Sequence, residues 1–115
     1  MVYRLGRKIE SIKGDEISLD LLNIKKTLEF AKKSIRFDIM VFLVGLAHKK
    51  GEEKDIKEFK KYNFDTLCNL LNSLKKFKKV PKKIIFSSTI SVYGEVLNKT
   101  FFLEDSQKNP KSPYA

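Results

Sequence analysis

Two short apolar runs flank one long amphipathic stretch, and that order leaves few folds open. The first run is Asp38–Val44, which reads IMVFLV after its aspartate and is ended by Gly45. The second is Lys83–Ser87, KIIFS. Such runs, lacking polar alternation, are expected of strands buried on both faces in a parallel sheet. Between them Phe59, Tyr62, Thr66, Leu67, Leu70, Leu71, Leu74 and Phe77 form one apolar stripe. Their spacing predicts a long helix from about Asp55 to Lys78, broken by Val80-Pro81. A strand, a long helix and a strand in succession make a right-handed parallel crossover. The predicted class is α/β with a parallel sheet.

The earlier part of the chain fits the same alternation. Val2–Leu5 is a short apolar-rich run stopped by Gly6-Arg7, and it reads as a strand. Lys8–Lys13 fits either a minor strand or a loop. Glu16–Leu19 reads as a second strand. A helix is predicted from Asn23, with Ile24, Thr27, Leu28 and Ala31 on one face and Asn23 or Asp20 as its cap. His48–Lys54 is polar and reads as a loop. Ser112-Pro113-Tyr114 carries the signals of a helix start: a capping serine, then proline at the first helical position.

Composition narrows the function classes. With 115 residues the chain makes one domain with a modest core. Its longest apolar run, Ile39–Ala47, is too short to cross a membrane as a helix. The start, MVYRLGRK, has no apolar block after its basic residues, so the expectation is a cytoplasmic protein without a secretory signal. One cysteine, Cys68, and one histidine, His48, exclude a disulfide framework and a cysteine- or histidine-rich metal centre. Cys68 is expected to pack within the long helix and His48 to sit in a solvated loop. The net charge is +10, from 24 Lys and Arg against 14 Asp and Glu. Only Arg4, Arg7 and Arg36 are arginines, and the lysines fall in scattered pairs. That pattern fits a solvated surface better than a nucleic-acid-binding face.

The segment Phe86-Ser87-Ser88-Thr89-Ile90-Ser91-Val92-Tyr93-Gly94 resembles the strand-end signature of the extended short-chain dehydrogenases. These form the NAD-dependent epimerase/dehydratase family, which includes the UDP-galactose 4-epimerases. Glu104, Asn109-Pro110 and Ser112-Pro113-Tyr114-Ala115 resemble the stretch leading into the family's tyrosine–xxx–lysine motif. Upstream, Asp20-Leu21-Leu22-Asn23 with Leu28 and Ala31 is similar to the acidic-leucine turn beside adenine. Asp38–His48 is similar to the strand and Gly/Ala-rich turn that follow. Asn63, Thr66 and Leu70-Leu71 are similar to the long helix that carries a recurrent asparagine. The likeness runs from Val2 to Ala115.

The resemblance implies a partial doubly wound, Rossmann-like sheet, NAD or NADP as cofactor, and a nucleotide sugar as substrate. It assigns Tyr114 as the general acid/base at a sugar hydroxyl and Thr89 as the hydroxyl that holds that oxygen. A phenol ordinarily titrates at about pH 10, so the family's lysine, four residues on, supplies a charge that favours phenolate. Asp20, Leu21, Val44, Gly45 and Asn63 fall at cofactor-binding positions. Arg7 does too, and it leans toward the 2′-phosphate of NADP because no acidic residue ends its strand.

The residues also depart from the family pattern. The lysine position falls past Ala115, and no Gly-rich phosphate loop occurs in the sequence. Phe42 stands where a histidine is often found, and Val44 where a small residue is. The expectation is that residues 1–115 form one partial NAD(P)-binding domain, running from the second strand to the catalytic tyrosine. Alone it should be inactive and bind cofactor scarcely, and it could pair with a complementary fragment. In the strand order 3-2-1-4-5-6 the lacking strand is central, which predicts two half-sheets with open inner edges. Two alternatives stay open: a non-catalytic α/β remnant of a split gene or pseudogene, and a small basic nucleic-acid-binding module.

Overall fold

The computed structural model describes residues 4–7, 16–46, 56–94 and 101–115. Their elements are, in order, β1 (Arg4–Gly6), β2 (Glu16–Ser18), α1 (Ile24–Lys33), β3 (Ile39–Phe42) and α2 (Ile56–Phe59). A π-helical segment (Lys60–Asp65), α3 (Thr66–Lys76), β4 (Lys83–Phe86) and a 3-10 turn (Ile90–Tyr93) follow. The strands form two parallel pairs, β1 with β2 and β3 with β4. Leu5 lies opposite Ile17, and Val41 opposite Ile85. The result is an open, partial Rossmann-like α/β arrangement, with the two separate half-sheets that the sequence predicts. Val2, Tyr3, Lys8–Lys13, His48–Lys54 and Asp55 lie outside the described residues, so the expectations for them are not addressed.

The first helix begins where the sequence places it. Asn23 is the cap: its Oδ1 accepts the Lys26 N–H at 3.1 Å. Asp20 does a different job, accepting the Leu22 N–H at 3.0 Å and so turning the chain into the cap. Thr27 and Ala31 are fully buried. The Thr27 hydroxyl donates to the Asn23 carbonyl at 2.9 Å, so its burial leaves no polar group unsatisfied. Ile24, predicted to share the buried face, is instead 57% exposed.

The long helix forms, but not as one regular α-helix. Its second segment is π-helical, which the apolar stripe did not signal, since one wide turn leaves a 3–4 pattern almost intact. Phe59, Thr66, Leu70 and Leu74 are buried. The core cluster joins Leu70 and Leu74 to Ala31 of α1, Leu19 and Leu21 after β2, and Phe42 of β3. Burying each such leucine contributes roughly 1.5–3 kcal/mol. Cys68 is half-buried in α3. Among the described residues no helix is long and apolar enough to cross a membrane.

Two devices tie the helices down. Asn69 Nδ2 donates to the Leu21 carbonyl at 3.0 Å, fixing α3 to the turn after β2. Lys79 Nζ donates to the carbonyls of Ala31, Lys32 and Ser34 at 3.1, 2.7 and 2.5 Å. Those carbonyls end α1, where a cation is favoured by the helix dipole. On the surface, Lys82 sits 3.0 Å from Asp38. Its hydrogen bond, and then its charge, holds the Asp38 carboxyl below the usual range.

Both apolar runs form strands, yet neither is covered on both faces. Of β3 and β4 only Phe42 is buried; Ile39 and Val41 are each 56% exposed, and Ile85 and Phe86 each 49%. The expectation of strands buried on both sides is thus corrected. The physical reason is that helix packing reaches only the Met40–Phe42 side of β3, while all four residues of β4 stay exposed. The strand bounds also shift. Leu5 and Gly6 belong to β1, so Gly6 does not stop it, and β4 ends at Phe86.

The end of α3 generates a stability prediction. Lys79 N–H bonds the Leu74 carbonyl at 2.9 Å and Lys78 N–H bonds the Lys75 carbonyl at 3.0 Å. This closure needs a left-handed residue, and Lys78 supplies it at φ 55°. A side chain there is disfavoured by roughly 1 kcal/mol. Lys78→Gly should therefore raise stability by about 0.5–1 kcal/mol, read as a higher midpoint with unchanged slope in urea denaturation.

Candidate functional site

The chain leaving β1 and the chain leaving β3 both reach the helix segment that carries Tyr62 and Asn63. Leu46, just past β3, is gripped by Asn63, while Arg7, just past β1, lies over the neighbouring Tyr62 ring at 6.0 Å. Between these ends opens a cavity of about 970 Å³. Arg7, Asp20, Leu21, Val44 and Gly45 all line it. Five of the six residues assigned to cofactor binding are thus brought to one place.

The sixth, Asn63, acts on that place from behind. Its Oδ1 accepts the Leu46 N–H at 2.5 Å and its Nδ2 donates to the Leu46 carbonyl at 3.2 Å. Both ends of the amide thus hold one peptide of the turn after β3. The π-helical segment that carries Asn63 sets it against this turn, and such segments often mark functional positions. A Cβ on Gly45 would stand 3.0 Å from Asn63 Oδ1, so the grip requires a small residue there. Arg7 is exposed, and its carbonyl accepts the Ser18 hydroxyl at 3.2 Å.

Thr89 and Tyr114 lie outside the cavity lining, in the segments after β4. Thr89 is the cap of the 3-10 turn: its Oγ1 accepts the Ser91 N–H at 3.3 Å and lies 3.2 Å from Ser91 Oγ. Ser91 was not singled out from the sequence. Its signal is a second hydroxyl two residues after the first, in a turn that presents both together. Tyr114 stands edge-on to Phe59, with ring centroids 6.0 Å apart. Phe59 lies one turn before Asn63, so the phenol and the β3 turn share one stretch of helix. Ser112 Oγ accepts the Ala115 N–H at 3.3 Å, the bond of a helix cap.

Gly94 joins these parts. It has φ 79°, and a Cβ there would meet the Asn109 carbonyl oxygen at 2.3 Å. Asn109 N–H bonds the Val92 carbonyl at 2.9 Å, so the stretch before Tyr114 lies directly on the 3-10 turn. Tyr93 stacks on Phe102, centroids 5.0 Å apart. The glycine of the strand-end signature is thus explained by backbone geometry and close approach.

The model of the NAD dependent epimerase/dehydratase family matches residues 2–115. No curated protein matches the chain. Among solved structures it is similar to a UDP-glucose 4-epimerase, at 21% identity and a TM-score of 0.73, over 87% of this chain and 29% of that one. A mutated uronate dehydrogenase aligns at 19% identity and a TM-score of 0.68, over 93% and 36% of the two chains. The Helicobacter pylori ADP-L-glycero-D-manno-heptose-6-epimerase aligns at 24% and 0.63, over 89% and 30%. At these identities the likeness speaks for the fold alone, and the chain spans about a third of each structure. Matched by the family model over nearly its whole length, and carrying the strand-end glycine for a physical reason, the chain belongs to the NAD-dependent epimerase/dehydratase family.

Proposed function

We propose that this chain supplies part of an NAD(P)-dependent nucleotide-sugar epimerase or dehydratase. The observation that carries this reading is the convergence of Arg7, Asp20, Leu21, Val44 and Gly45 on one cavity at the strand carboxyl ends, where open α/β sheets take their ligands.

What is present fits a dinucleotide in part. A volume of about 970 Å³ suits the nucleoside portions, and Asp20, Leu21, Val44 and Gly45 give them an apolar seat with one carboxylate. Arg7 adds a cation suited to a 2′-phosphate, which favours NADP. The pyrophosphate is served less well, because the sequence has no Gly-rich loop leading into a helix N-terminus. When bound, the nicotinamide supplies a hydride acceptor. The chain's own residues handle the proton and the sugar oxygen. Tyr114 takes a proton from a sugar hydroxyl and returns it, and Thr89 Oγ1 holds that oxygen in line. Asn63 keeps the Leu46 peptide, and with it the cavity rim, in one conformation.

Four outcomes are expected. The 115-residue chain alone should bind NAD(H) or NADP(H) hardly at all in calorimetric titration, for want of the pyrophosphate seat; micromolar binding would contradict this. In a chimera where residues 2–115 replace the matching part of a UDP-glucose 4-epimerase, Tyr114→Phe should lower kcat by about a thousandfold or more, with cofactor content unchanged. Thr89→Ala should cost less. A fully active Tyr114→Phe chimera would end the proposal. Gly94→Ala should lose about 2 kcal/mol or more and detach the Asn109–Tyr114 stretch, seen as loss of Phe59–Tyr114 contacts in NMR.

A further inference from the structure

A second, smaller cleft of about 430 Å³ opens between β2 and α1. None of the residues assigned to cofactor binding or catalysis lines it. Its floor is apolar, with Ile17 and Leu19 on the β2 side and Phe30, Ile35 and Phe37 on the α1 side. Lys26, Glu29 and Lys33 of α1 line it as well, and all three are exposed. Among the described residues their side chains make no hydrogen bond or ion pair.

The rim belongs to a larger basic pole. Segments 25–38 and 75–83 carry eleven Lys and Arg against Glu29 and Asp38, which is +9 of the chain's net +10. Lysine pairs far apart in sequence meet there. Lys79 Nζ holds the carbonyls of Ala31, Lys32 and Ser34, and Lys83 N–H bonds the Asp38 carbonyl. The Asp38 carboxylate is already paired with Lys82. Helix dipoles account for some of these cations, since Lys32 and Lys33 end α1 and Lys75 and Lys76 end α3. They do not account for Lys25 and Lys26. Those stand in the first turn of α1, which holds no acidic residue and where the dipole favours an anion. The local fold gives no reason for cations at that end.

Spacing identifies what fits. Lys26 and Lys33 are two turns apart on one face of α1, about 10.5 Å along its axis. In an extended peptide every second side chain shares a face, and residues i and i+4 are about 13.5 Å apart. The flexible lysine stems cover the difference. Carboxylates at i and i+4 thus reach the two lysines, while the side chain at i+2 meets the apolar floor. Glu29 stands between the lysines, so a carboxylate at i+2 would be repelled. A helix is too bulky, because one turn alone occupies roughly 400–600 Å³. Nucleic acid fits less well. Arg36 is the one arginine of the pole, whereas paired phosphate contacts favour the arginine fork. Phe30, Phe37 and Phe77 are half-buried, which leaves the pole no exposed ring for stacking bases. A bilayer surface is flat where this site is concave.

We infer that the cleft between β2 and α1 docks an extended acidic segment of a partner polypeptide. Two carboxylates four residues apart meet Lys26 and Lys33, and one bulky apolar side chain between them enters the cleft. The rest of the basic pole attracts the acidic partner at longer range. The competing occupant is Phe101–Asp105 of a second copy, where Phe101 and Leu103 are exposed beside Glu104 and Asp105. Its two carboxylates are adjacent and so cannot flank an apolar side chain. Two chains of net charge +10 also repel each other.

The test is fluorescence anisotropy of labelled peptides titrated with the full chain. The probe reads Gly-Glu-Ser-Phe-Ser-Glu-Gly; its control, Gly-Phe-Ser-Glu-Ser-Glu-Gly, has the same composition with the ring moved to the end. The probe should bind saturably and the control about fivefold more weakly or worse. Raising salt from about 0.05 to 0.3 M should weaken the probe severalfold. Lys26→Gln with Lys33→Gln should weaken it about tenfold or more. Lys108→Gln with Lys111→Gln removes the same charge from exposed lysines outside the cleft lining and should change binding by less than about twofold. Lys26→Glu with Lys33→Glu should lose the probe and gain a peptide with lysines in place of its glutamates, a rescue that an unfolded variant could not give. Absence of probe binding would overturn the inference, as would equal binding of probe and control or full binding by the Lys26→Gln, Lys33→Gln chain. Tighter binding of a thymidine oligonucleotide or a phosphatidylserine vesicle than of the probe would overturn it too, giving the pole to nucleic acid or membrane. A dimer in size-exclusion chromatography that the Lys26→Gln, Lys33→Gln chain fails to form would assign the cleft to a second copy instead.

Discussion

Among the described residues the two strand pairs share no backbone hydrogen bond, so the contact between α1 and α3 holds them in one body. Ala31, Leu70 and Leu74 bring the helices together, and Leu19, Leu21 and Phe42 carry the two sheets onto that seam. Lys79 then binds the end of α1 to the chain that leaves α3, using three carbonyls that a helix end would otherwise offer to water. Asn69 adds a bond from the middle of α3 to the turn after β2. The separation of β1 from β3 rests on this helical layer. A gap can persist between β1 and β3 because the layer beneath it is closed.

The same layer sets up the rim of the cavity. A regular α-helix through Lys60–Asp65 would rotate Asn63 away from Leu46; the wide π turn lets one side chain hold both the N–H and the carbonyl of a single peptide. Gly45 is small because that amide is so close. Past β4, Gly94 permits a backbone crossing that a side chain would forbid, and this lays the Asn109–Tyr114 stretch on the turn capped by Thr89. The two glycines thus act alike: each removes a Cβ where a second segment must approach closely.

Much of this was legible in the residues. The alternation of elements, the asparagine cap of α1 and the α/β class follow from local rules, because capping and periodicity depend on near neighbours in sequence. Separate half-sheets were also expected, from the strand order that the family resemblance brings. Less local features were not legible. The π segment hides inside an intact apolar stripe. The exposure of Ile39, Val41 and Ile85 cannot be read from their hydrophobicity, since an apolar run looks the same whether one face or two find a covering layer. Ser91 beside Thr89, and the double bond from Asn63 to Leu46, arise only when a turn and a helix meet in space.

What the sequence determined by itself is the set of elements and their direction: apolar runs of strand length, one long amphipathic helix, and a cap at the start of α1. Short-range sterics and hydrogen bonding are enough for these. The tertiary structure alone decided that Arg7, Asp20, Leu21, Val44 and Gly45 share one cavity, and that among the described residues β1 and β3 both line it without pairing. Those relations depend on how far apart the α1–α3 seam holds the two sheets. That distance is a property of packed side chains many positions apart, which no local pattern encodes.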